Sequence, residues 1–379
     1  MLNRPMLSAT LDGCAIIITA DRRSVELTAA LERHGARVQH APALTIVPHA
    51  DDAALSARTR ELIAAPPDTV VVTTGVGFRG WMEAADEEGI GDDLHRALAG
   101  ARFMARGPKA RGAIQQAGFA TTWVAESETA AELGSYLVDE GLTGRRIALQ
   151  RHGAGADGLD TLCAAHGADV VSLTVYRWGP PPEPDIVRRS VHAAAGGDAD
   201  AVLFTSAPGA AQWVACAVIE GVLPAVARRA ASGRLLLAAV GPATAAPLTT
   251  AGFTVAIADR GRLGALVRTV ITHFAAGGAH SVETTAGRLE LRSGGAVLNG
   301  AFLPLSPTCS CLLDLLVDAD GAVVSRRALQ RALPRSAGST HAVDMAVARL
   351  REALGAHGLV RTVIKRGYRL DVREGAVLS

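Results

Sequence analysis

Aromatic residues are scarce: only 4% of the 379 residues are Phe, Trp or Tyr, which argues against the stacked aromatic platforms that hold single-stranded nucleic acid. There are five cysteines, Cys14, Cys163, Cys216, Cys309 and Cys311. The number is odd, no two form a CxxC pair and none has a histidine at ligand spacing, so neither a disulfide framework nor a zinc site is expected. Cys309 and Cys311 stand two apart on an expected helix, where their side chains diverge by about 200°; both read as buried thiols. No stretch reaches the ~18 apolar residues of a membrane span, and the opening MLNRPMLSATLDG lacks a signal-peptide pattern. These absences predict a protein of the reducing cytoplasm, with no metal and no membrane partner. A charge excess is missing too, with 38 Lys+Arg against 37 Asp+Glu.

What is present is an apolar content of 49% with 20% charged residues, which excludes a disordered or fibrous chain. The length allows about two to four domains. The balanced charge conceals an asymmetry. Residues 1–280 hold 25 basic and 28 acidic side chains, residues 281–379 hold 13 and 9, and from Arg326 to Arg373 there are 11 basic against 3 acidic. A basic block of this size suggests a polyanion partner for the C-terminal part.

The first 280 residues carry an internal repeat. His34-Gly35-Ala36-Arg37-Val38 recurs as His166-Gly167-Ala168-Asp169-Val170, and Asp68–Thr74 recurs as Asp200–Ser206, both at an offset of 132; Gly107-Pro108 with Ala117-Gly118-Phe119 recurs as Gly241-Pro242 with Ala251-Gly252-Phe253 at 134. The shared spacing carries the inference, because an Ala-rich chain could mimic any single match. Within each repeat, short apolar runs of strand length (Ala15–Thr19, Val70–Val72, Arg146–Leu149, Ala201–Phe204, Leu235–Val240) alternate with helical spacing such as Leu27, Leu31 and a glycine stop at Gly35. Strands alternating with helices predict parallel sheets covered on both faces. Ala41–Pro48 and Ser172–Pro184, the latter with Gly179-Pro180-Pro181-Pro182, are proline-marked connectors at equivalent places in the two repeats.

Thr205-Ser206 after a buried strand, Gly241-Pro242-Ala243-Thr244-Ala245 opening a helix, Ala117-Gly118-Phe119 and the connector Leu173-Thr174-Val175-Tyr176-Arg177 stand in an order and spacing that resembles the uroporphyrinogen-III synthase family over about residues 12–275. The resemblance implies two interleaved parallel-sheet α/β domains, residues 1–42 with 177–276 and residues 43–176, joined by a two-strand hinge. It also implies a linear tetrapyrrole as ligand, and a reaction without cofactor that closes hydroxymethylbilane with inversion of one ring and loss of water. Tyr176 matches the tyrosine proposed in the family as proton donor, and Thr244, Thr205 and Ser206 match substrate-contacting positions. A polycarboxylate of this kind suits helix N-termini, whose free N–H groups and positive dipole ends favour anions. Thr73-Thr74-Gly75, Gly107-Pro108, Thr205-Ser206 and Gly241–Thr244 all lie where a strand feeds a helix, although Thr and Ser there are also ordinary caps. Arg22, Arg106, Lys109 and Arg151 are further candidate carboxylate partners, and equally ordinary surface residues. The sequence departs from the family at Ala20-Asp21-Arg22, at Ala110 and at Gly75-Val76-Gly77, so ligand binding without turnover competes with catalysis.

After a short, flexible, glycine-containing linker, residues 277–281, the pattern changes. Leu289, Leu291, Val297 and Leu298 suggest a small antiparallel sheet, Ser306-Pro307 and Ser325 are helix starts, and Val343, Val347, Leu350 and Leu354 form one apolar stripe on a helix over 340–354. Val360–Leu370 reads as a hairpin. With Leu305-Ser306-Pro307-Thr308, Val323-Val324-Ser325-Arg326, Arg349-Leu350-Arg351 and Gly367-Tyr368, this order resembles the OmpR/PhoB-type winged-helix effector domain over about 282–373. The resemblance implies a winged helix-turn-helix, residues 282–379, that binds double-stranded DNA through a recognition helix and a basic wing. Candidate contacts are Arg326, Arg327, Thr340, His341, Arg349, Arg351, Arg361, Thr362, Lys365, Arg366 and Arg369. Domains of this type often work in pairs on tandem sites, so a homodimer on DNA is one expectation. Taken together, the two halves predict a DNA-binding transcription regulator whose synthase-like module binds a linear tetrapyrrole or related metabolite. The alternatives are a working uroporphyrinogen-III synthase with a regulatory appendage, and a scaffold whose cleft binds another protein.

Overall fold

The computed structural model describes residues 8–21, 23–48, 53–151, 157–333, 340–355 and 358–373. The strands of the body are β1 (Ala15–Ile18), β2 (Arg37–His40), β3 (Thr45–Pro48), β4 (Thr69–Val72), β5 (Arg102–Ala105), β6 (Thr121–Val124), β7 (Arg146–Arg151), β8 (Asp169–Thr174), β9 (Tyr176–Gly179), β10 (Ala201–Phe204), β11 (Leu236–Ala239) and β12 (Ala256–Ile257). They build two parallel five-stranded sheets, ordered β12-β11-β10-β1-β2 and β6-β5-β4-β7-β8. The central runs are apolar throughout because both faces are covered. Ile16 and Ile18 pack with Leu27, Leu31, Leu266 and Phe274, while Ile17, Val202 and Phe204 point the other way to Val187, Trp213 and Leu248. In the second sheet Val70 and Val72 join Phe78, Trp81 and Ile114 on one face, and Val71, Met104 and Leu149 join Leu133 and Leu137 on the other.

The repeat is a tandem duplication with exchanged halves. The unit β1–helix–β2 corresponds to β7–helix–β8, and β4-β5-β6 to β10-β11-β12, yet β1 pairs with β10 and β7 with β4. The chain divides into two compact units, residues 45–179 and residues 1–44 with 180–379. The connectors β3 and β9 pair antiparallel, with Pro48 opposite Tyr176 and Thr45 opposite Gly179. A buried tryptophan is held the same way in each repeat. Trp81 Nε1 donates to Thr59 Oγ1 (3.0 Å), which donates to Leu55 O (2.8 Å); Trp213 Nε1 donates to Ser190 Oγ (3.1 Å), which donates to Val187 O (2.7 Å). Among the described residues, no single helix is long and apolar enough to cross a membrane.

The C-terminal part begins with an antiparallel sheet of β13 (Ser281–Thr284), β14 (Gly287–Arg292), β15 (Gly295–Leu298) and β16 (Ala301–Pro304). Helices Pro307–Asp318, Arg326–Ala332 and Thr340–Leu354 follow, then the hairpin β17 (Val360–Val363) and β18 (Gly367–Leu370). Ser306 and Ser325 cap the first two helices by accepting from Cys309 N and Ala328 N. The stripe Val343, Val347, Leu350 and Leu354 is buried against Leu312, Leu316, Leu329 and Tyr368 in a core separate from those of the sheets. Cys309 is buried and Cys311 half-buried.

The segment after Ala275 differs from the flexible linker that its glycines predict, and β13 already begins at Ser281. Gly277 takes a left-handed turn (φ 72°) at the helix end, Gly278 N donates to His273 O (2.8 Å), Gly277 O accepts from Arg288 (2.6 Å) and His280 N donates to Gly233 O (3.1 Å). Glycine composition signals a backbone freedom that the fold uses to stop a helix, so it does not by itself mark a mobile tether.

Candidate functional site

In the unit containing β10, the chain runs outward in opposite directions from the adjacent strands β1 and β10. Open α/β sheets bind ligands at the carboxyl ends beside such a switch point. Thr19, Thr205-Ser206 and Gly241–Thr244 stand at these ends. Thr19 Oγ1 is engaged, donating to Leu203 O (2.9 Å), and Ser206 caps the helix Ala207–Ile219 by accepting from Gly209 N (3.3 Å). The hydroxyls of Thr205, half-buried, and Thr244, buried, bond to no described residue. Gly241 is extended (φ −177°), and a Cβ there would meet nothing within 4 Å, so open space borders the start of helix Pro242–Thr250.

At the equivalent edge of residues 45–179 more of the described groups are engaged. Thr73 is buried and donates to Gln150 O (2.8 Å); Thr74 caps helix Gly75–Glu87, and its N–H donates to Gln150 Oε1 (3.1 Å). A Cβ on Gly75 would collide with the Lys109 carbonyl, so this helix start abuts that of helix Pro108–Gln116. Beside Gly107 lies Glu128, held in a left-handed turn (φ 57°), whose Cγ would be 3.1 Å from an added Cβ. Arg106, half-buried, makes no hydrogen bond or ion pair with a described residue. Burial pulls its guanidinium below the usual arginine range, against the pull of Tyr176, Asp157 and Glu128. Tyr176 is itself buried, edge-on to Trp178 at 5.9 Å. Of the other candidates, Arg151 is paired with Asp160 (3.4 Å), Lys109 is exposed, and Arg22 lies outside the described residues. Ala110 is a core residue. Gln150 and Glu128 were missed from sequence; the available signal for Gln150 was a polar residue at the repeat position of Ile18.

The basic candidates of the C-terminal part fall into two groups. Arg326 pairs with Asp344 (3.1 Å), and Arg351 donates to Val360 O and Thr362 Oγ1 (both 2.8 Å); both guanidinium groups lie over the Tyr368 ring, at 5.0 and 5.6 Å. Arg361 and Arg369, opposite each other across the hairpin, share Asp371 at 2.6 and 4.0 Å. Arg327, His341, Arg349, Lys365 and Arg366 are exposed and bond to no described residue. Thr340 is the first residue of its helix. The structure thus leaves five groups unpaired at the surface and pairs four arginines within the domain, Arg361 and Arg369 while still largely exposed, which sequence spacing did not distinguish.

The Tyr368 hydroxyl donates to Asp344 Oδ1 (2.6 Å), and this bond, with Arg326, holds the Asp344 carboxyl below the usual range. Tyr368→Phe is expected to cost about 1–3 kcal/mol. A depressed folded pKa contributes stability above the ordinary carboxylate value and loses it as pH falls. The Tyr368→Phe deficit should therefore shrink on acidification, as read by thermal melts across acid pH; a pH-independent deficit would contradict the assignment.

A family model described as uroporphyrinogen-III synthase HemD matches residues 25–268. The chain belongs to the uroporphyrinogen-III synthase family. A second model, transcriptional regulatory protein, C terminal, matches residues 300–370, so the HemD-like body is fused to a C-terminal DNA-binding domain of the response-regulator type. The crystal structure of a mutant uroporphyrinogen III synthase from the extreme thermophile Thermus thermophilus is similar, with 26% identity, 69% of this chain and 99% of that chain covered, and a TM-score of 0.56. An uncharacterized protein, YjjA, of Bacillus subtilis is 26% identical over 67% of this chain and 94% of its own length. The DNA-binding domain of Escherichia coli CadC is 30% identical over 23% of this chain and 90% of that chain, at a TM-score of 0.21.

Proposed function

We propose that this HemD-family protein is a one-component, cytoplasmic transcription regulator whose body binds a linear tetrapyrrole or a related polycarboxylate and thereby biases DNA binding by the winged helix. The observation that favours binding over turnover is the difference between the two carboxyl edges. At β1/β10 the Thr205 and Thr244 hydroxyls are unengaged beside the open helix start at Gly241. At β4/β7 the Thr73 hydroxyl is engaged, and the Glu128 carboxylate lies against Gly107, where it would repel a ligand carboxylate. Tyr176, the candidate proton donor, is buried against Trp178.

The test is to incubate the purified protein with hydroxymethylbilane and resolve the isomers. The regulator reading expects saturable binding with only the type I isomer of spontaneous closure; accelerated formation of the type III isomer would establish the bifunctional synthase instead. Thr244→Val should weaken tetrapyrrole binding about tenfold, the loss of one hydrogen bond of about 1–1.5 kcal/mol, as measured by titration calorimetry. An unchanged affinity would remove Thr244 from the site.

A further inference from the structure

The acid Asp200, only 7% exposed and placed just before β10, has no role in the ligand edge. Its Oδ2 accepts from Ala15 N (2.8 Å) at the foot of β1 and from Ser293 Oγ (2.6 Å); its Oδ1 accepts from Ser293 N (2.9 Å). Ser293 lies in the turn between β14 and β15 of the winged-helix domain. Around this acid the same turn is bound to the body at several points. Arg292 is buried and donates to Thr10 O (2.9 Å) and Asp12 O (2.7 Å), with its guanidinium 5.7 Å from the Phe274 ring centroid. Gly294 N donates to Gly13 O (2.9 Å), and a Cβ on Gly13 would run into the Phe302 ring. Just before β11, Arg234 pairs with Asp318 (2.6 Å) and Asp314 (3.5 Å) on helix Pro307–Asp318.

All of these contacts fall at the amino ends of β1, β10 and β11, the ends opposite Thr19, Ser206 and Gly241. Strands of four residues span roughly 13 Å between the two edges. The exposed Arg349, Lys365 and Arg366 take no part, so the docked arrangement leaves the basic face open.

We propose that the amino edge of this sheet is a standing docking surface for the winged-helix domain, positioned by Asp200, so that the β1/β10 domain and the DNA-binding head move as one piece both free and on DNA. The interface is polar and borders a cavity of about 530 Å³ lined by Asp200, Arg229, Arg234, Arg292 and Ser293. Desolvation raises the Asp200 carboxyl, and the donors on Ser293 and Ala15 oppose that rise; an amide in its place leaves one acceptor oxygen for three donors. In the regulator reading, on which this consequence rests, a ligand at the carboxyl ends acts on the head through the same strands.

The experiment compares the intact chain with Asp200→Asn and with the milder Ser293→Ala, which carries the test if the first variant does not fold. Amide hydrogen exchange at Ala15, Ser293 and Gly294 is expected to be slow in the wild type, equally slow with duplex DNA bound, and at least tenfold faster in the variants, while their DNA affinity stays within twofold of wild type. Wild-type exchange rates in both variants, or loss of protection when DNA binds, would overturn the docking. These arms use no tetrapyrrole, so failure of the ligand reading leaves them intact. With hydroxymethylbilane added, the variants should bind it as wild type does and lose its effect on DNA affinity; an undiminished effect would overturn the positioning role of Asp200.

Discussion

Neutralising Arg349, Lys365 and Arg366 together in the intact chain is expected to lower its affinity for duplex DNA roughly a hundredfold at 0.15 M salt. Each is exposed, and none is matched by a described carboxylate, so each is free to meet a phosphate and release a counterion. Three lost phosphate contacts should also flatten the slope of log affinity against log salt by about 2.7. Arg361→Ala is the control. Its charge is already held by Asp371 at 2.6 Å, so it should change the slope by well under one. Arg326→Ala and Arg351→Ala should act on the melting temperature of the head more than on the salt slope, because both hold Tyr368 and its neighbours. Equal slope changes for Arg361→Ala and Arg349→Ala would contradict this sorting.

Trp81→Ala and Trp213→Ala should each destabilise the unit that contains it by about 3–5 kcal/mol. Both rings are fully buried, and each packs edge-on against a phenylalanine, Phe78 at 6.0 Å and Phe204 at 5.5 Å. Alanine leaves a cavity between helix and sheet that neighbouring elements cannot fill without moving. The Phe variants keep most of the volume and lose the indole N–H, at about 1 kcal/mol beyond the packing change. Urea unfolding followed by far-UV circular dichroism, with regional amide exchange to locate the loss, measures this. A deficit below about 1 kcal/mol for both alanine variants would show that the duplicated tryptophans are not core anchors.

The parallel sheets could be read from the sequence because burial on both faces forces continuous apolar runs, as at Val70–Val72 and Ala201–Phe204, and because the 132-residue offset aligned them. The winged helix was legible for a related reason: Val343, Val347, Leu350 and Leu354 repeat with the period of a helix. Charges were less legible. Whether an arginine meets solvent or a carboxylate depends on partners distant in sequence or set by strand register, as with Arg326 and Asp344 or Arg361, Arg369 and Asp371. Asp200 resembled the opening of a strand and no more, because its second partner, Ser293, lies 93 residues away. The contacts of Gln150 and Glu128 at the other edge were illegible for the same reason, since neither residue lies in a turn marked by the repeat.

In the proposed function, a tetrapyrrole bound by the HemD-like body alters the grip of the winged helix on DNA. The direct measurement is the affinity of the intact chain, at fixed salt, for a duplex selected from a random pool, with and without saturating hydroxymethylbilane. A change of about 5- to 150-fold is expected, the usual span of coupling between two sites, reduced in Thr244→Val. The same affinity with and without a tetrapyrrole shown to be bound would contradict it.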